Sequence, residues 1–127
     1  MKKTAKSSVE LNPVEADNLD YLVKCLKDKG IYMTIDVYIS RIPVKGEIPE
    51  LGDKDLSLLD LASIKAAMLI SDTAMDNFEA YAKNFFKHVN PYTGLAWKDE
   101  PALCFVSLIN EDTVFSGWNR SPSVKAV

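Results

Sequence analysis

Two hydrophobic periodicities alternate along the chain. From Asn18 to Gly30 apolar residues recur at helical spacing, with Leu19, Leu22, Val23 and Leu26 on one side and Asp20, Lys24, Lys27 and Asp28 expected to face solvent. Asp17 stands where a capping carboxylate would start this helix, and Gly30 where a left-handed residue would close it. Residues before Asp17 show no periodicity, and Asn12-Pro13 argues for an extended lead-in over residues 1–17. From Ile31 to Tyr38 the period drops to two: Ile31, Met33, Ile35 and Val37 form one row, and Tyr32, Thr34, Asp36 and Tyr38 the other. A helix handing over to a strand through one glycine is the junction of a parallel α/β fold.

Ser40 to Gly52, with Pro43, Gly46 and Pro49, reads as a loop, and Leu56 to Ile70 as one or two short helices. Met75, Phe78, Ala82, Phe85 and Phe86 predict the buried stripe of a further helix capped by Asp72 or Thr73. Asn90-Pro91 and Thr93-Gly94 mark turns. Ala102 to Ile109 then has the length and apolar content of a strand buried on both faces, with Pro101 at its start, where a missing N–H is tolerated.

This last run ends abruptly in Asn110-Glu111. In parallel sheets and barrels, ligands bind beyond the carboxyl ends of the strands, so this pair sits where such folds keep their active sites. A carboxylate there serves as a general acid when apolar surroundings raise its pKa, and a neighbouring amide can hold a substrate hydroxyl. Tyr38 and Arg41, at the end of the other strand, are the candidate substrate contacts, and the loop after Ser40 would lie over the same end.

Other polar residues read as structural. Asp36, two residues inside its strand, calls for a hydrogen-bonding partner. His88, the single histidine, ends a helix that precedes a strand and so belongs to the opposite, stabilising face. Asp99 and Glu100 read as a solvated acidic corner before the strand. Cys25 and Cys104 read as two buried thiols without the paired spacing of a zinc site, and the sequence offers no metal-ligand cluster or phosphate-cradling loop.

The ending Asn110-Glu111 after an apolar strand resembles the acid/base strand of the clan A glycoside hydrolases, the cellulase-like (β/α)8 barrels of family 5 and its relatives. The order of blocks strengthens the likeness: Leu19–Gly30 as a helix, Ile31–Tyr38 as the next strand, and His88-Val-Asn-Pro-Tyr-Thr-Gly94 leading into the strand that carries Glu111. These blocks follow one another as the third and fourth strands of that family do, over roughly Asn18 to Asp112. Family 5 members commonly carry a histidine near the third strand's end, where this chain has Tyr38, and a proline just after Asn-Glu, where it has Asp112. The resemblance implies a retaining enzyme acting on O-glycosidic bonds of a polysaccharide or oligosaccharide. Glu111 would be the acid/base, Asn110 would hold the sugar hydroxyl, and the nucleophile would come from a later strand. No cofactor or metal is implied.

Length changes that picture. A complete barrel takes about 250 residues, and this chain has 127, so it is expected to be part of one: a partial barrel over 18–115 followed by a polar tail over 116–127. Without the nucleophile, the chain alone is expected to be inactive. The alternatives are a small non-catalytic α/β interaction module, self-associating through open sheet edges, or a truncated product without function. A formal charge of −3 with scattered Lys and Arg argues against nucleic-acid binding. The basic start, Met1-Lys2-Lys3, is followed by Val9-Glu-Leu-Asn-Pro rather than a signal-length apolar stretch, and no run approaches a membrane span. The chain as given is expected to be cytoplasmic; a parent with an upstream signal would be secreted.

Overall fold

The computed structural model describes residues 7–38, 41–51 and 61–110. Helix α1 spans Pro13–Asp28 and starts earlier than the periodicity suggests. Asn12, not Asp17, is the cap: its side chain accepts from the backbone N–H groups of Val14 and Glu15, and Pro13 occupies a first-turn position that needs no N–H. The Asn12-Pro13 pair thus opens a helix where an extended lead-in was expected. At the other end Gly30 closes α1 as expected, with φ +68° and its N–H on the carbonyl of Lys27 at 2.9 Å.

Strand β1 is Met33–Tyr38, so Ile31 and Tyr32 remain outside it and exposed. A short 3₁₀ turn follows at Pro49–Leu51. Helix α2 covers Leu61–Ile70, and α3 covers Asp72–Lys87. Ser71 caps α3, its hydroxyl accepting from the Ala74 N–H at 3.1 Å, one residue ahead of the expected cap. A second 3₁₀ turn, Trp97–Asp99, leads to β2, Leu103–Ile109. The two strands pair in parallel, from Met33 beside Leu103 to Tyr38 beside Ile109, with one irregularity after Met33. Helices and a two-stranded parallel sheet make this an α/β arrangement.

The core gathers Val37 and Tyr38 of β1, Ile48 of the loop, Ile64, Ala67 and Met68 of α2, Ala74, Phe78 and Phe85 of α3, and Trp97. Its aromatic side chains meet edge to face: Phe85 and Trp97 at 4.2 Å between centroids, Tyr38 and Phe78 at 5.6 Å. The α3 stripe is as expected at Phe78 and Phe85, while Met75 turns outward.

The expectation that β2 is buried on both faces fails. Leu103, Val106 and Ile109 pack on the core, but Cys104, Phe105 and Leu108 are exposed, Phe105 at 63%. Phe105 lies beside exposed Thr34 in the parallel register, on a part of the sheet that no described element covers. Cys104 is accordingly an exposed thiol, and Cys25 is only half-buried.

Candidate active site at the carboxyl ends of the strands

Parallel pairing brings the carboxyl ends of β1 and β2 side by side: the N–H of Asn110 donates to the carbonyl of Tyr38 at 3.1 Å. Three of the expected site residues, Tyr38, Arg41 and Asn110, therefore meet at one end of the sheet. The fourth, Glu111, lies outside the described residues. Asp36 is half-buried two positions inside β1, beside Ser107.

The side chains of Tyr38 and Arg41 are already engaged. Tyr38 is 1% exposed, its hydroxyl donates to the carbonyl of Arg41 at 2.7 Å, and burial pushes that hydroxyl's pKa up, so it stays a neutral donor. The Arg41 guanidinium donates through Nε to the Ser8 carbonyl at 3.0 Å and through Nη2 to the backbone and side-chain oxygens of Asn77. It also stacks over Tyr81, 4.8 Å from the ring centroid. Arg41 thus ties together the segment before α1, the end of β1 and helix α3.

Beside it, Glu47 accepts from the hydroxyls of Ser7 and Ser8 and from the backbone N–H groups of Ser8 and Val44. Burial works against its ionisation, but these hydrogen bonds outweigh it and hold the carboxyl at about 2. On the α2 side, the Lys65 ammonium donates to the carbonyl of Asn110.

The segment leading into β2 is organised around a carboxylate expected from the sequence to face solvent. Asp20 is 1% exposed. One of its oxygens faces His88 Nε2 at 2.6 Å, the other accepts from Trp97 Nε1 at 2.8 Å, and its backbone carbonyl accepts from the Asn90 side-chain amide at 2.9 Å. Asn90, fully buried, also accepts from the N–H groups of Tyr92 and Thr93 and so folds the turn that Gly94 completes at φ +71°. Tyr92 reaches back to α1, its hydroxyl donating to Asp17 at 2.8 Å. His88 does end α3, as expected, and its ring meets Asp20 and Trp97.

Glu100 corrects the acidic-corner expectation in the same way. It is 3% exposed, paired with Lys27 at 2.9 Å, and accepts from the Ala102 N–H at 3.2 Å. Burial opposes its charge, but Lys27 and that N–H outweigh burial and lower its pKa. Only Asp99 of that pair is exposed, bonded to Lys98.

A signal for Asp20 was present. It stands four residues after Ala16 and three before Val23, both buried, so it shares the stripe's own spacing, and its polarity disguised its place. Among the described residues no group of His, Cys, Asp and Glu is arranged to hold a metal ion, and no helix is long and apolar enough to cross a membrane. No protein-family model matches the chain, and neither a curated protein nor a solved structure matches it.

Proposed function

We propose that this chain is the part of a retaining glycoside hydrolase barrel that surrounds its third and fourth strands. The observation that supports the reading most is the pairing of neighbouring parallel strands that sets Tyr38 and Asn110 side by side at their carboxyl ends, with Glu111 next in the chain. In the parent enzyme Glu111 protonates the departing glycosidic oxygen while a carboxylate from a later strand attacks the anomeric carbon. Glu111 then takes a proton from the water that releases the sugar, and Asn110 holds the neighbouring sugar hydroxyl. Tyr38 is buried and Arg41 is committed to Ser8 and Asn77, so they brace the strand end rather than act as the direct substrate contacts expected from the sequence.

The test is Glu111→Gln in the completed barrel. Activity on substrates with poor leaving groups falls by roughly 10²–10⁴-fold, activated aryl glycosides suffer less, and azide restores turnover by attacking the glycosyl-enzyme. Equal loss on both substrate types without azide rescue removes Glu111 from this role. The isolated chain, lacking the nucleophile, hydrolyses neither.

The exposed Phe105 and Leu108 favour a second reading, a non-catalytic module that associates through its open sheet. Size-exclusion chromatography separates the two: a module of that kind elutes as an oligomer, and Phe105→Ser returns it to the monomer.

A further inference from the structure

Asp36 lies inside β1 and is half-buried there, a place where a carboxylate calls for a partner. Among the described residues its side chain makes no hydrogen bond and no ion pair. The cations Arg41 and Lys65 are engaged elsewhere, Arg41 with Ser8 and Asn77 and Lys65 with the Asn110 carbonyl.

Side chains two positions apart on a strand share a face, and register partners on the neighbouring strand share it with them. Asp36 therefore stands on one face with its partner Ser107 and with the pair Thr34 and Phe105. That face closes toward the carboxyl end, where Tyr38 is buried, and opens toward the amino end, where Thr34 and Phe105 are exposed. The Ser107 hydroxyl donates to the Ile109 carbonyl at 3.4 Å, and its oxygen can still accept. Asp36 and Phe105 lie on a diagonal of about 8 Å, from the spacing of strands and of residues along them. A group bridging them meets a carboxylate at one end, hydroxyl oxygens beside it and an exposed aromatic ring at the other.

A guanidinium suits this set. Its planar fork offers two N–H groups to a carboxylate, its remaining N–H groups reach hydroxyl oxygens, and it stacks on aromatic rings. A cation also offsets the cost of the lone half-buried charge, which a neutral sugar leaves in place. Small molecules take concave pockets, whereas an open two-stranded surface with an exposed aromatic side chain suits an arginine presented by another protein.

We propose that this sheet face is a docking site for a protein partner that inserts an arginine between Asp36 and Phe105. The site rests on neither functional reading above, and its test uses the chain alone.

The experiment is a heteronuclear NMR titration of the 127-residue chain with a short capped peptide carrying arginine between two valines, beside the same peptide with citrulline, the neutral isostere. The arginine peptide shifts the Asp36 carboxyl carbon, the Phe105 ring protons and the Thr34 and Ser107 amides together, and added salt weakens it. Asp36→Asn and the citrulline exchange each weaken binding by roughly tenfold or more, and Phe105→Ala by about threefold. Asp99→Asn, which alters an exposed acid bonded to Lys98, leaves binding unchanged. Binding that survives Asp36→Asn or citrulline, shifts confined to other residues, or no shift at millimolar peptide overturns the proposal. Tighter binding of a neutral disaccharide to the same residues overturns it too. Folding is checked separately: with no partner to lose, Asp36→Asn keeps or raises the urea midpoint, and a lowered midpoint means that contacts within the chain already hold the carboxylate and overturns the proposal.

Discussion

The two ends of the strand pair handle charge in opposite ways. At the amino ends, buried carboxylates are matched by charged or polar donors: Asp20 by His88 and Trp97, Glu100 by Lys27 and a backbone N–H. At the carboxyl ends, among the described residues, Arg41 hydrogen-bonds to Ser8 and Asn77 and Lys65 to Asn110, all neutral oxygens, with the Glu47 carboxylate acting on Arg41 only through its field. The matched carboxylates hold the segment Val89–Glu100 against α1.

The contrast is broken most severely by Asp20→Ala, which leaves the Trp97 N–H and the His88 ring without their acceptor and lowers stability by about 3 kcal/mol in urea unfolding. A loss under about 0.5 kcal/mol, the level of an ordinary surface change, would mean that the amino end is not held by this cluster. His88→Ala removes one of two partners on a group that keeps the other, and costs roughly 1–2 kcal/mol. On the proposed hydrolase reading, it leaves kcat on sugar substrates unchanged in the completed barrel. A collapse of kcat with the melting point preserved would move chemistry to the wrong end.

The third effect is acid-dependent. Glu47 has its folded pKa depressed from 4.5 to about 2, so the stability it contributes is complete above the unfolded value and is lost as pH falls from about 4.5 toward 2. Glu47→Gln should therefore flatten stability over that window while changing little of its slope at neutral pH, as read by urea midpoints between pH 2 and 7. The smallest effect is at exposed helix pairs: Lys83→Ala, which removes the Glu79 partner at i+4, costs about 0.3–0.5 kcal/mol and vanishes in high salt.

What the sequence disclosed followed from periodicity and turn chemistry. Gly30, the α3 stripe and the Asn90–Gly94 turn stand where the pattern put them, because each depends on local backbone geometry. The alignment of Tyr38 with Asn110 was legible because a helix-linked strand pair of this kind runs parallel. The errors share a cause: polarity was read as exposure and apolarity as burial. Asp20 and Glu100 are buried since their partners, His88, Trp97 and Lys27, come from distant positions that no local window contains. Phe105 and Leu108 are exposed since burial depends on a second layer, which an apolar residue does not itself supply. Arg41 was correctly placed at the strand end, but its engagement with Ser8 and Asn77 joins three separate segments.

The Asp20 cluster also bears on how the chain reaches its fold. Its bonds to His88, Asn90 and Trp97 close separations of 68, 70 and 77 residues, and the Lys27–Glu100 bond closes 73. Contacts so remote repay their loop-closure entropy only after the chain between them has been gathered, and parallel strand pairing carries the same delay. The helices are local, so the segment Val89–Ile109 is expected to be the last to join. Its rate should respond to Asp20 and Trp97 more through unfolding than through refolding, since their bonds form after the barrier rather than before it.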